Sequence, residues 1–227
     1  MNKYQSALRE VPLFNKLSQK ELKVLERASA VKSYERNEVI IHKHDIGDTF
    51  FSILSGKVKV ILTDDPGKEF IVGILKPKEF FGELSLLDGE PRSASVVALE
   101  PTEVLVLRRE DFLEQIKKHP EIPAKIMTVL ARRLRDANLH IGNLAFLDVC
   151  GRLARVLIDI AKATGKKQED GIFVSVEYNR SELAHLVGTT RETLTRALKT
   201  LKTMGYIKLK KGDVIITDEK GLRQRMG

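Results

Sequence analysis

The chain of 227 residues holds one cysteine, Cys150. A single thiol excludes an internal disulfide and any metal or iron–sulfur site built on several cysteines. No apolar run approaches the ~18 residues that a membrane helix requires, so no membrane partner is expected. The start, Met1-Asn2-Lys3-Tyr4-Gln5, lacks the apolar stretch and small-residue cleavage site of a secretory signal. A cytoplasmic location is the default expectation. Catalytic signatures are also missing: there is no P-loop, no GxSxG elbow and no HExxH. His42 and His44 stand near a strand–turn junction without a constellation of carboxylates. We therefore expect no catalytic residue, no metal and no required cofactor.

What is present is ordinary in amount and uneven in placement. Apolar residues make up 42% and charged residues 31%, a globular balance that fits one or two domains at this length. The formal charge is +8. From Asp148 onward there are 16 Lys/Arg against 10 Asp/Glu, whereas the first 147 residues hold 23 and 21. The short C-terminal part thus carries most of the excess, which points to a polyanion partner.

Three regions follow. From about Tyr34 to Leu107, short β-branched or alternating runs are broken by Gly, Asp and Pro. Examples are Phe50-Phe51-Ser52-Ile53-Leu54, Lys57-Val58-Lys59-Val60-Ile61 and Thr102-Glu103-Val104-Leu105-Val106, with turns at Ser55-Gly56 and Asp65-Pro66-Gly67. Such spacing predicts an antiparallel sandwich, barrel or jelly roll. Before it, Ser18-Gln19-Lys20-Glu21 is a capping box that opens a short helix. The second region, about 123–146, is one long helix. Met127, Leu130, Leu134, Ala137, Ile141 and Leu144 recur at alternating steps of three and four, a coiled-coil seam that predicts a two-fold dimer.

The third region opens with an amphipathic helix around Arg152–Ile158, then a loop over Thr164–Gly171 and a strand over Ile172–Val176. The run NRSELAHLVGTTRETLTRALKTLKTMGYI is the most informative. It predicts one short helix, a tight turn at Gly188 and a second helix capped by Thr190, with Leu194, Ala197, Leu198 and Leu201 inward. Two such helices are the sequence form of a helix-turn-helix. Arg191, Glu192, Thr193 and Arg196 cluster outward at the start of the second helix. Arg can bond both acceptors of a guanine edge and Glu can accept from a cytosine amino group, so double-stranded DNA is the expected partner. Tyr206–Lys210 and Val214–Thr217 flank Lys211-Gly212-Asp213 as a hairpin with alternating outward lysines, which fits a phosphate-gripping wing.

The whole chain resembles the catabolite activator protein (CRP/FNR) superfamily, and most closely its cyclic-AMP receptor branch. FGELSLLDGEPRSASVVA, Phe81 through Ala98, is similar to that family's phosphate-binding cassette. GNLAFLDVCGRLARVL, Gly142 through Leu157, is similar to its hinge and first DNA-domain helix. The resemblance spans about Leu13 to Thr217. It implies an α+β fold: an N-terminal cyclic-nucleotide-binding β-roll, a double-stranded jelly roll, with its dimerisation helix over 1–147, and a C-terminal winged helix-turn-helix over 148–227. It also implies a homodimeric transcription regulator whose effector is a cyclic nucleotide, cyclic AMP first, and which contacts RNA polymerase. A regulator of the same family that acts without effector, or answers cyclic di-GMP, is the alternative.

By the same resemblance, Gly82 lets the backbone approach the ligand, while Leu84 and Leu86 anchor the loop inside. Glu83 accepts from the ribose hydroxyl, and Arg92 and Ser93 hold the cyclic phosphate, for which a guanidinium fork is suited. Arg133 matches a helix arginine near the base. Ala137 and Asn138 stand where the family's cyclic-AMP-responsive members carry adjacent hydroxyls; Ala137 offers no hydrogen bond, Asn138 does. Cys150 replaces a threonine that contacts phosphate. Arg191, Glu192 and Arg196 match base-contacting positions, which implies a palindrome with TGTGA and TCACA half-sites. Arg180, Thr190 and Thr193 match phosphate contacts, and Lys211 belongs to the wing.

Overall fold

A computed structural model describes residues 8–9, 11–65, 67, 69–210 and 212–226. The first five residues, Pro66 of the expected turn and Lys211 of the expected wing lie outside the described residues. The chain divides into two compact units, Met1–Leu134 and Arg135–Gly227.

In the first unit, period-2 alternation builds the layers. Its strands are Ser29–Tyr34 (β1), Val39–Ile41 (β2), Thr49–Ser55 (β3), Val58–Thr63 (β4), Glu69–Leu75 (β5), Phe80–Phe81 (β6), Ser95–Ala98 (β7) and Thr102–Arg108 (β8). They pair antiparallel in two four-stranded sheets, β1-β8-β3-β6 and β2-β7-β4-β5, the expected double-sheet roll. Successive residues of a strand face opposite ways. Phe51, Phe81, Val104 and Val106 of one sheet therefore meet Ile41, Val58 and Val96 of the other. Their neighbours Phe50, Phe80, Leu105 and Leu107 turn outward to a second core. That core is roofed by Gln19–Ala28 (α1), Arg109–Lys118 (α3) and the start of Glu121–Phe146 (α4). Phe50 stacks on Phe112 with centroids 4.5 Å apart, and Phe51 on Phe81 at 4.9 Å. The second stack ties β6 to β3, and β6 delivers the chain into the short helix Glu83–Asp88 (α2). Ser18 caps α1 as expected: its side chain accepts from the Glu21 amide, and Glu21 accepts from the Ser18 amide at 2.7 Å.

The long helix α4 begins two residues before the expected Pro123. Proline lacks an N–H, which the first turn does not need, so Pro123 sits inside that turn without breaking it. Ile122 and Ile126 are buried in the second core, and Leu130 packs on it. Along the rest of the expected seam Met127, Leu134 and Ile141 are 62%, 63% and 64% exposed, and Leu144 46%. Among the described residues this apolar stripe stays exposed.

The second unit holds Val149–Thr164 (α5), Lys166–Gln168 (β9), Gly171–Val174 (β10), Arg180–Val187 (α6), Arg191–Thr203 (α7), Ile207–Lys210 (β11), Asp213–Ile216 (β12) and Glu219–Gln224 (α8). Its sheet runs β11-β12-β10-β9, and Leu153, Leu157, Leu183, Leu194, Leu201 and Val214 fill the core beneath. Three sequence expectations are corrected. The segment 164–171 is not a plain loop, because Lys166–Gln168 pairs with Gly171–Phe173 as an edge strand. The following strand ends at Val174, two residues early, where the Val176 amide turns to the Asp213 side chain instead. The hairpin's lysines do not alternate cleanly, since Leu209 is also 37% exposed.

Candidate functional site

The cassette begins where β6 ends. Gly82 has φ +81°, a left-handed conformation that a residue with a Cβ adopts at a cost of roughly 1–2 kcal/mol. A Cβ there would also stand 2.8 Å from Arg92 Nη1, and one at Gly47 would stand 2.8 Å from Arg92 Nε. The two glycines leave the space that the Arg92 guanidinium fills.

Arg92 is 5% exposed. Its Nη1 donates to the Gly82 carbonyl at 2.7 Å, and Nη2 to the Thr49 carbonyl at 2.7 Å. Its Cζ lies 5.9 Å from the Phe51 ring centroid. The main chain is held too: the Arg92 amide donates to Asp45 and the His44 amide to Arg92, both at 2.9 Å. Burial pushes the guanidinium below its ordinary pKa, against the opposing pull of Asp48, Glu83 and Asp45. Among the described residues no carboxylate forms an ion pair with it. A buried cation satisfied only by neutral oxygens is costly unless an anion completes the site.

Glu83 opens α2 and is 2% exposed. Its Oε1 accepts from Arg133 Nη1 of α4 at 2.7 Å. Arg133 also donates through Nη2 to the Phe80 carbonyl and lies 5.1 Å from the Phe80 ring centroid. The carboxylate therefore does not pair with Arg92; each binds its own partner at opposite ends of the Gly82 turn. Ser93 follows Arg92 on an exposed bend. Leu84 corrects an expectation: it is 41% exposed, while Leu86 is fully buried. Because the segment is helical, Glu83 and Leu86 share the buried face at i, i+3 and Leu84 falls outside it. Asn138 is exposed and Ala137 half-buried, further along α4.

In the second unit the helix-turn-helix is built by caps. Asn179 and Glu182 form a capping box that starts α6. Gly188, at φ +71°, closes it, and Thr190 caps α7 by accepting from the Thr193 amide at 3.3 Å. The buried face of α7 is Leu194, Ala197, Leu198 and Leu201. Its other side presents Arg191, Glu192 and Arg196 to solvent. The Thr193 hydroxyl accepts from Thr190 Oγ1 at 3.1 Å and from Arg196 Nη2 at 3.0 Å, which orients the arginine before any partner arrives. Arg180, the first residue of α6, keeps Nη1 buried without a hydrogen-bond partner among the described residues. Lys208 pairs with Asp170 at 3.3 Å.

Two contributors escaped sequence reasoning. Arg152 donates to the Leu147 carbonyl at 2.9 Å, to Val187 at 2.9 Å and to Gly188 at 3.3 Å. It thereby ties the α4–α5 connection to the helix-turn-helix turn. Its sequence signal was only an arginine on an amphipathic helix. Thr195 follows Arg191 by four residues and Glu192 by three, and helical spacing alone could have found it. Cys150 is half-buried, and burial pushes its thiol up, which suits a packed and unreactive group.

A double-sheet roll holding a buried arginine, joined through one long helix to a winged helix-turn-helix, is the architecture of a ligand-regulated DNA-binding protein. Residues 31–119 match the cyclic nucleotide-binding domain and residues 151–225 the Crp-like helix-turn-helix domain. The chain is 35% identical over 207 residues to the cyclic AMP receptor protein of Thermus thermophilus, covering 91% of this chain and 93% of that one. It is 33% identical over 192 residues to the CRP-like cAMP-activated global transcriptional regulator of Mycobacterium tuberculosis, covering 85% and 86%. Among solved structures it is similar to the c-di-GMP responsive global regulator CLP of Xanthomonas campestris. That match has a TM-score of 0.78 and 25% identity, and covers 88% of this chain and 100% of that one. The chain belongs to the CRP/FNR family and is a transcriptional regulator, not an enzyme. Among the described residues no helix is long and apolar enough to cross a membrane.

Proposed function

We propose that this protein is a cytoplasmic homodimer that binds a TGTGA–TCACA palindrome in double-stranded DNA under the control of cyclic AMP. The observation that carries the effector reading is the Arg92 guanidinium, buried between Gly47 and Gly82 with carbonyls as its acceptors. A cyclic phosphate supplies the missing charge, with the Ser93 hydroxyl beside it. Glu83 gives one oxygen to Arg133 and keeps the other for the ribose hydroxyl. Gly82 and Leu84 line the approach, and Arg133 and Asn138 meet the base. The sensor with its dimerisation helix occupies 1–147, and the reader 148–227.

In the reader, Arg191, Glu192 and Arg196 contact bases, while Arg180, Thr190, Thr193 and Lys211 hold phosphates. The exposed stripe of α4 pairs with a second copy, so two α7 helices enter major grooves about one helical turn apart. DNA-bound dimers then present a surface to RNA polymerase. The nucleotide shifts the equilibrium between two arrangements of the dimer only by its differential affinity for them, typically 1–3 kcal/mol.

Isothermal titration of the full chain with cyclic AMP, and separately with cyclic di-GMP, tests the effector. We expect one saturable cyclic AMP site per subunit that Arg92→Gln weakens about 10- to 100-fold. Binding of cyclic di-GMP in its place would transfer the pocket to that nucleotide. Binding of neither would leave a regulator that acts without effector.

A further inference from the structure

The outward face of α7 carries one residue to which neither the base contacts nor the phosphate contacts above give a role. Thr195 lines an open concavity of ≈ 570 Å³ together with Arg191, Glu192 and Arg196. Leu194, Ala197, Leu198 and Leu201 are locked into the core, so the rotation of the helix is fixed and this face must point away from it. Thr195 follows Arg191 by four residues and Glu192 by three, which places all three on one stripe.

Its neighbours are long and charged, suited to hydrogen-bonding base edges. Thr195 differs in reach and chemistry. Its hydroxyl donates to the Arg191 carbonyl at 2.8 Å. A hydroxyl has one proton, and here it is used within the helix. The side chain then offers no donor; its oxygen can still accept, and its one apolar group is a methyl. Because threonine is β-branched its χ1 is stiff, so that methyl stands in one place instead of sweeping the surface. A major groove displays one apolar group to such a probe, the C5-methyl of thymine.

We propose that Thr195 is a specificity-determining residue that reads a thymine methyl by apolar contact. The inference rests on the reading of α7 as the base-contacting helix. It adds a thymine preference at one symmetric pair of positions, set by shape and not by hydrogen bonding.

The test uses the full chain and a duplex enriched by it from a random-sequence library in the presence of cyclic AMP. Each thymine of that duplex is replaced in turn by deoxyuridine, which removes only the methyl. Affinity is read by fluorescence anisotropy for the native chain, Thr195→Val, Thr195→Ser and Arg196→Ala. The native chain should lose about three- to fivefold at one symmetric pair of positions, the effect of one buried methyl. Thr195→Val keeps the methyl and should keep that loss; Thr195→Ser keeps the hydroxyl and should abolish it. If Thr195→Ser retains the deoxyuridine penalty, or Thr195→Val loses it, while Arg196→Ala weakens binding, the methyl reading is overturned and the helix reading stands. If Arg196→Ala changes nothing, or the library yields no enriched duplex, both readings fall.

Discussion

At the scale of single residues, the sensor turns on how two buried charges are satisfied. Arg92 is cradled by absent side chains as much as by present ones. Replacing it with Gln removes a charge-assisted fork, and we expect nucleotide affinity to fall about 10- to 100-fold in calorimetry. The fold should persist in circular dichroism, because among the described residues Arg92 joins no ion pair whose loss would strand a charged partner. Gly82→Ala adds a Cβ to a left-handed turn and drives it against Arg92 Nη1. We expect about 1–2 kcal/mol of lost stability, seen as a lower thermal midpoint, together with weaker nucleotide binding. Gly82, Glu83 and Arg92 stand out in the sequence because their segment resembles the family's cassette, and the structure gathers all three at one turn. The Arg133–Glu83 pair was not legible there, since the two residues stand fifty positions apart and only the packing of α4 on Phe80 brings them together. Leu84 was misread for a local reason: treated as loop, it has no face, whereas in a helix its neighbours Glu83 and Leu86 take the buried side.

At the scale of elements, the reader is positioned by hydrogen bonds to the ends of helices. Arg152 satisfies three carbonyls from two segments, and truncating it to Met leaves them with fewer partners. We expect about 1–3 kcal/mol of destabilisation, a lowered unfolding midpoint and weakened DNA binding, with nucleotide affinity unchanged. Nucleotide affinity that fell in parallel would show damage beyond the second unit. The Thr190 cap joins stability to recognition. Thr190→Ala removes a bond to the Thr193 amide worth about 1 kcal/mol and loosens the Thr193 hydroxyl that orients Arg196. DNA affinity should therefore fall by more than the cap alone explains, and Thr190→Ser should restore it. Long periodic helices and capped turns were readable beforehand: α4, α6 and α7 lie where spacing, Gly188 and Thr190 put them. β9 was not, because Lys166, Lys167 and Gln168 include no apolar residue and all three remain exposed on a sheet edge. Only the partner strand reveals such a segment.

At the scale of the whole molecule, the uncovered stripe of α4 and the charge excess of the C-terminal part belong to one account. The proposed two-fold dimer would bury Leu134 and Ile141 and would align two basic readers on one duplex. Ile141→Glu places a charge in that seam, and sedimentation should then report a monomer that binds DNA far more weakly. Lysines and arginines that neutralise phosphates make affinity fall steeply as salt rises. The central claim is that nucleotide occupancy in the first unit governs base reading in the second. Fluorescence anisotropy on a labelled TGTGA–TCACA palindrome, at fixed salt, with and without cyclic AMP, tests it directly. Tight binding that appears only with cyclic AMP and disappears in Arg92→Gln is the predicted result. Equal binding with and without the nucleotide would contradict it.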